Sequence, residues 1–472
     1  MRKTKIVCTI GPACRNMETL RQMVKAGMNV ARLNFSHGDH EYHAGTIALL
    51  RQLREEMGVP LAIMLDTKGP EVRLRDFENG SAVLEDKQQF TLTTREVMGT
   101  AEVVQQTFAG LPAAVHPGNT ILIDDGKIVL KVESTTDTDI VCRVIHGGKV
   151  SNHKGVNVPN VHLDMPVLGE RDKQDLLFGI EQDVDLVAAS FVRSRQDVIE
   201  IRKFLNYNGA HSTKIISKIE NHEGIDNFEE ILEASDGIMV ARGDMGVEIE
   251  YAKLPGIQKR IIRQCYRAGK MVITATQMLD SMMQNPSPTR AEISDVANAV
   301  FDGTSAVMLS GETAAGSFPV ESVKAMASIS EQAEEDLAVF RPDQIEVFDH
   351  LPDITNAVCE AACTAAKDLN AKAIITVSKS GQTARNISKF RPTQPIVCAT
   401  PEIKSFHQLS LSWGVYPVVA RMQKDYDTLM LHAVDCAKQI DMVDKGDVAV
   451  IVAGVPLGFT GNTNLIKIEV ID

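Results

Sequence analysis

Nothing in this chain reads as a paired-thiol framework. It carries eight cysteines in 472 residues, yet no C-x-x-C pair. The nearest two, Cys359 and Cys363, are four apart on what reads as one helix face. Buried, reduced thiols are therefore expected rather than disulfides or a zinc site. A G-x-x-x-x-G-K-[ST] loop is also missing, which excludes a P-loop nucleotide site. No apolar run approaches the length of a membrane span. The basic start, Met1-Arg2-Lys3-Thr4-Lys5, precedes only a short apolar run, so a cytoplasmic protein without a secretory leader is expected. Basic excess is lacking too. The net charge is −13, with acids and bases interspersed, which disfavours nucleic acid or an anionic membrane as the main partner. An anionic substrate would need a local cationic patch or a metal ion.

What the chain has is length and alternation. With 44% hydrophobic residues over 472 positions, it exceeds one ordinary core, and two or three domains are expected. Residues 5–10, 29–33 and 61–65 read as strands, with a helix at 17–26, closed by Gly27, and another running to about 57. From about residue 71 to 166 the pattern changes to Thr- and Val-rich runs and turn signals such as Asp124-Asp125-Gly126, with no convincing helix. That is an all-β insertion. Alternation resumes with strands at 184–190, 214–219, 237–240, 271–274 and 306–309. Eight strands alternating with helices give the expected fold class: an α/β (β/α)₈ barrel with an inserted all-β lid domain after its third strand. A doubly wound open sheet is the alternative. An acidic, Pro-containing linker near 340–350 leads into a C-terminal α/β domain, with helices at 354–369 and 426–440 and strands at 373–377, 396–399 and 448–453. The expected boundaries are 1–69 with 171–342 for the barrel, 70–170 for the insertion and 343–472 for the last domain.

In a barrel the reactive groups follow the strands. Arg32 and Asn34, with Ser36 and His37, follow the second strand. Asp66-Thr67-Lys68 follow the third, Lys218 and Glu220 end the fifth, Arg242-Gly243-Asp244 follow the sixth, Thr276 the seventh and Ser310-Gly311-Glu312 the eighth. Strand alternation puts Lys218 and Glu220 on one face, Ser217 and Ile219 on the other. An inward Lys218–Glu220 pair is either a structural ion pair or a cation for a phosphate beside a hard oxygen ligand for Mg²⁺, and the local pattern does not decide. Asp244, on a glycine-punctuated loop, is the natural second carboxylate, although a plain turn is the better reading of that loop alone. His37, His40 and His43 recur every three residues, and a helix start with exposed histidines is expected rather than zinc.

These segments together resemble the pyruvate kinase family. The resemblance is carried by residues 28–38 (MNVARLNFSHG), 65–73 (LDTKGPEVR), 215–225 (IISKIENHEGI), 239–248 and 273–282 (ITATQMLDSM), and covers nearly the whole chain. It implies phosphoryl transfer from phosphoenolpyruvate to ADP by a cytoplasmic homotetramer. Mg²⁺ (or Mn²⁺) would lie at Glu220 and Asp244. Phosphoenolpyruvate would be held by Arg32, Lys218, Gly243, Asp244 and Thr276, with Lys218, Arg32 and Thr276 as the catalytic residues. K⁺ would lie at Asn34, Ser36, Asp66 and Thr67, and the nucleotide at Arg73, Lys154, Asn34 and His37. Three positions depart from the family's habit: Asn160 where Gly is usual, Ser287 where Arg is common and Ser305 where Asp is common. Glu102 aligns with the Glu of K⁺-dependent members. The alternatives are another barrel enzyme acting on phosphoenolpyruvate or a 2-oxo acid, which would need no nucleotide site, and a non-catalytic sugar-phosphate sensor.

A second phosphate site is expected in the C-terminal domain. Ser378-Lys379-Ser380-Gly381-Gln382-Thr383 lies between a strand and a helix beginning near Ala384. For the isolated segment a polar turn with Thr383 as N-cap is the better reading. The segment resembles the family's phosphate loop for a sugar-phosphate or AMP-like effector, with a second loop at 454–462 that would close over it.

Overall fold

A computed structural model describes residues 1–340, 353–423, 425–456 and 463–472. Eight parallel strands close into a barrel in chain order: Lys5–Thr9, Val30–Asn34, Ala62–Asp66, Leu186–Ala189, Lys214–Ile219, Gly237–Ala241, Met271–Ala275 and Ala306–Leu309. Lys5 pairs with Ala306 to complete the ring. An open sheet is thereby excluded. Alternate residues serve two cores. Val7, Val30, Met64, Ala188, Ile216 and Met239 fill the interior, while Ile6, Ala31, Leu65, Ile215 and Val240 pack outward under the helices. Nearly continuous apolar runs follow from this two-sided burial.

Helix Met17–Ala26 starts on Asn16, whose side chain accepts from Thr19 N, and ends at Gly27. Helix His40–Met57 is capped by Asp39 in the same way. The stretch after strand Lys214–Ile219 forms two helices, His222–Asp226 and Phe228–Ala234. Between the third and fourth barrel strands lies a seven-stranded sheet with a separate two-stranded ribbon, around a core that includes Phe90, Leu92, Ile121 and Leu130. One correction is small: the insertion holds a four-residue helix, Leu111–Ala114, with Pro112 in its first turn.

Ile354–Asp368 opens the described part of the C-terminal unit, a five-stranded sheet ordered Val415–Val419, Ile396–Thr400, Ala373–Val377, Val448–Ala453, Leu465–Val470. The expected linker, apart from Phe340, and the boundary at 342/343 lie outside the described residues. This unit closes the N-terminal end of the barrel. Leu411, fully buried, joins the barrel's interior cluster, Ser410 Oγ accepts from Ala62 N at 3.2 Å, and Gln408 Nε2 donates to Asp185 O and Ser212 O. All eight cysteines are buried and unpaired, as composition suggests. Among the described residues no helix is long and apolar enough to cross a membrane.

Candidate active site

The reactive groups gather at the C-terminal rim of the barrel. Strand Lys214–Ile219 carries Lys218 inward, on the face of Ile216, while Ser217 turns outward to bond Ser235 Oγ at 2.6 Å. Lys218 Nζ lies 3.1 Å from Asp66 Oδ1, 2.8 Å from Ser190 Oγ and 3.0 Å from Glu220 Oε1. Arg32 Nε donates to the other Asp66 oxygen at 2.6 Å, and its Nη1 to Thr9 Oγ1. Four charges are thus packed with almost no solvent: Arg32 and Lys218 are each 8% exposed, Asp66 and Glu220 each 1%.

Burial and charge compete here. Burial opposes charge on Asp66, but Arg32 and Lys218 outweigh it and hold the carboxyl below its ordinary value. Burial likewise opposes the Lys218 ammonium, and Asp66 and Glu220 override it, raising its pKa. Glu220 is the loser. Burial, with Asp244 adding to it, lifts its carboxyl to about 8 despite Lys218. Its Oε2 accepts from Phe191 N at 2.5 Å, while Oε1 has no hydrogen-bond donor. A raised Glu220 and a raised Lys218 are two statements about one pair. Lys218 stays charged, because Asp66 supports it independently, and Glu220 is the member of the pair pushed toward its neutral form.

Asp244 is exposed, but not on the expected loop: Arg242–Glu248 is a short helix with Asp244 in its first turn. Gly243 N donates to Thr276 Oγ1 at 2.8 Å. Thr276 and Gln277 both have positive φ, 68° and 53°. Arg242 holds that bend by donating to Ala275 O and Thr276 O, with its far end on Asp295. A buried orphan oxygen beside a second carboxylate suits a hard divalent cation that takes one or two protein carboxylates and leaves the rest to substrate and water. No group of three His, Cys, Asp or Glu residues able to hold a metal occurs among the described residues.

Asn34 and Asp66 are register partners on adjacent strands. Asn34 Oδ1 accepts from Ser36 N at 3.1 Å, and Thr67 Oγ1 from Ser190 N, so the four residues assigned to K⁺ share one rim. Glu102 is exposed in the insertion, at the edge of strand Val103–Gln105. His37 is exposed, but the expectation of exposed histidines fails for His43. It is buried against Phe35, ring centroids 4.0 Å apart, and Nε2 meets His37 O at 2.8 Å. His40 pairs with Asp175 at 2.7 Å.

Above the rim, a cleft of about 740 Å³ runs between barrel and insertion. It is lined by Arg73, Asp124, Lys154 and His162 from the insertion and by Asn221, Asp244 and Glu248 from the barrel. Lys154 Nζ rests on Asp124 Oδ1 at 2.8 Å and Arg73 Nε on Glu71 at 2.7 Å. Asn157 Nδ2 to Glu248 (3.3 Å) and His162 to Glu223 (3.0 Å) bridge the two domains. Asn160 takes φ of 61°, the left-handed bend that Gly would give, and Asn is among the few residues that tolerate it. Ser190 and Asp295 escaped the sequence reading, which placed Arg242 on the rim but gave it no role. Ser190 directly follows strand Leu186–Ala189 and was open to the same rim argument. Nothing local marks Asp295.

In the C-terminal unit, helix Gln382–Ser388 begins two residues earlier than expected. Its N-cap is Gly381, with φ of 74°, not Thr383. A Cβ at Gly381 would lie 2.8 Å from Leu409 Cδ2, and the positive φ also favours Gly. Thr383 is buried, its hydroxyl 3.0 Å from Thr463 Oγ1. Lys379, Ser380 and Gln382 are exposed and Ser378 half-buried. Residues 457–462 of the expected closing loop lie outside the described residues. Ser305 is buried beside Arg391, and Ser287 is exposed.

Known proteins carry the same arrangement of domains. Family models described as "Pyruvate kinase, barrel domain" and "Pyruvate kinase, alpha/beta domain" match residues 1–323 and 356–469. The chain is 48% identical to a pyruvate kinase of Clostridium acetobutylicum over the full length of both. It is 49% identical to one of Geobacillus stearothermophilus, covering all of this chain and 80% of that protein. A crystal structure of a pyruvate kinase from Cryptosporidium parvum superposes with a TM-score of 0.93 at 40% identity, covering 100% of this chain and 96% of that one. With both family models matched in order and the barrel closed around Lys218, the chain belongs to the pyruvate kinase family.

Proposed function

We propose that the chain transfers the phosphoryl group of phosphoenolpyruvate to ADP, giving pyruvate and ATP, at the barrel rim around Lys218. The observation that carries this reading is the buried Lys218 ammonium, 3.1 Å from Asp66 and 3.0 Å from Glu220, on the same rim as Asp244, which lines a cleft whose far wall presents Arg73 and Lys154. A lyase or mutase acting on the same acid has no use for that far wall.

Glu220 and Asp244 are the residues that would hold Mg²⁺ or Mn²⁺, and Asn34, Ser36, Asp66 and Thr67 those that would hold K⁺. When bound, these ions add positive charge beside the phosphoryl and enolate oxygens. The protein's own groups do the positioning. Arg32 and Lys218 face the phosphoryl group, and Gly243, Asp244 and Thr276 the carboxylate end. Arg73, Lys154, Asn34 and His37 take the nucleotide, so Lys154 must exchange Asp124 for a phosphate oxygen. A β-phosphate oxygen of ADP attacks phosphorus, the P–O bond to the enolate breaks, and the charge left on that oxygen falls beside Lys218. Such a transfer depends on placement and electrostatic stabilisation. The enolate's methylene carbon then takes a proton from the face bounded by Thr276, through a water chain, to give pyruvate. The insertion covers the site against water that would compete for the phosphoryl group.

The units are assigned as residues 1–69 with 171–342, 70–170 and 343–472, in a cytoplasmic homotetramer. Residues 378–383 are assigned to a phosphorylated sugar or AMP-like effector. ADP dependence tests the reading: consumption of phosphoenolpyruvate without ADP would favour a lyase or mutase instead.

A further inference from the structure

Where the C-terminal unit meets the N-terminal end of the barrel, a recess of about 20 Å³ is lined by Lys270, Ser305, Arg385, Lys389, Arg391 and Trp413, with no carboxylate in its lining. The barrel supplies Lys270 and Ser305, and the C-terminal unit the rest. Lys270 spends its ammonium on Leu232 O, Glu233 O and Ser235 O, each at 2.7 Å. The two guanidiniums are less well served. Arg385 is 7% exposed, donates from Nη2 to Ser380 O at 2.6 Å, and leaves Nη1 buried without an acceptor. Arg391 donates from Nη2 to Gly303 O at 2.8 Å and stacks on Trp413 and Tyr266, 4.5 and 5.2 Å from the ring centroids. Its Nε and Nη1 are buried and unpartnered. Among the described residues neither arginine forms an ion pair.

Buried guanidiniums are normally paired, because an uncompensated charge out of water costs several kcal/mol. Burial lowers the pKa of both here, that of Arg391 to about 10, so Arg391 remains a cation at neutral pH. A recess of this size admits a water-sized or slightly larger particle. Water would accept hydrogen bonds but bring no charge. We infer that the recess is a site for one small inorganic anion, of halide or phosphate size, bound between Arg385 and Arg391. Such an ion supplies the acceptors that three N–H positions lack and ties the C-terminal unit to the barrel. It is separate from the rim site, which lies at the opposite end of the barrel.

Trp413 is the only tryptophan in the chain, so its fluorescence reports on this recess. The full-length protein is titrated at constant ionic strength, replacing sodium gluconate with sodium chloride, bromide or phosphate, and its Tm is followed in parallel. A saturable fluorescence change and a rise in Tm are expected with at least one of these anions. Response to halides, to phosphate or to both supports the site and defines the size of its ion. Response to none overturns it. Ser305 Oγ is 3.5 Å from Arg391 Nη2, so Ser305→Asp places a carboxylate within reach of that guanidinium. That variant is expected to melt higher than the parent in gluconate and to lose the anion response. An unchanged response in Ser305→Asp overturns the inference. So does a crystal grown in bromide whose anomalous map lacks a peak beside Arg385 and Arg391. The bromide crystal keeps the test open if the substitution does not fold.

Discussion

Glu220 Oε1 lies 3.0 Å from Lys218 Nζ, an ion pair without the alignment of a directed hydrogen bond. The two residues are two apart on one strand, so they share the barrel's inner face. Proximity without that alignment is informative. Lys218 directs its hydrogens to Asp66 and Ser190, leaving the Glu220 oxygen with an open lone pair beside Asp244. That oxygen is where a divalent cation fits, and the ammonium is where a phosphoryl group does.

Lys218→Met keeps most of the side chain's volume and removes its charge. Turnover is expected to fall by at least ~10²-fold, the scale for losing one preorganised electrostatic group. Folding should survive, because the long apolar side chain still fills the site. Steady-state rates beside a thermal melt check this, and near-normal turnover in a folded variant would contradict the assigned role.

Lys154 tests the cleft. It is half-exposed and rests on Asp124. Lys154→Met is expected to raise KM for ADP several-fold and leave KM for phosphoenolpyruvate nearly unchanged. An equal rise in both would move Lys154 from the nucleotide to the shared phosphoryl position.

Much of this was legible in sequence, for physical reasons. Barrel strands buried on both faces are continuous apolar runs, so 214–219 and 306–309 were placed to the residue. The strands missed are the two edges of the last sheet. Val415–Val419 contains Pro417, which an edge tolerates and a central strand does not. Leu465–Val470 is half exposed, with charges at Lys467 and Glu469. His43 was misjudged because the cap at Asp39 fixes where the helix starts, not which face meets Phe35. The Arg242–Asp295 pair spans 53 residues, and nothing local announces such a contact.

Lys5 makes stability depend on pH. Its Nζ is buried, donates to Val415 O at 2.7 Å, and lies 4.6 Å from the Tyr416 ring centroid. Burial, with Arg2 nearby, lowers its pKa from 10.5 to about 7. Between those values the unfolded chain binds the extra proton, so this residue's contribution to stability rises with pH across that window. Below about 7 its full cost is present. Lys5→Met lacks this titration. The stability of the parent relative to Lys5→Met, from denaturant unfolding at pH 6.5 to 10 (a range set by those two pKa values), should therefore rise. A flat difference would mean Lys5 is not held in its buried position.

Regulation is tested at Ser380, which is exposed in the segment 378–383, rather than at buried Thr383. A phosphorylated sugar or AMP is expected to lower the phosphoenolpyruvate concentration needed for half-saturation, and Ser380→Glu to weaken that effect by charge repulsion. By linkage, phosphoenolpyruvate should tighten effector binding by the same factor. Saturation curves with fructose 1,6-bisphosphate, ribose 5-phosphate and AMP decide it. The assignment fails if no ligand shifts the curve, or if the added carboxylate leaves the shift intact.

The most direct test of the central claim is a single-turnover experiment with enzyme in excess over phosphoenolpyruvate, ATP and pyruvate being quantified together. With ADP, Mg²⁺ and K⁺ present, the two products should appear in equal amounts. Both should be lost when ADP or the divalent ion is omitted, and both strongly reduced in Glu220→Gln. Pyruvate formed without ATP, or equal yields from Glu220→Gln at the parent's rate, would contradict phosphoryl transfer at this rim.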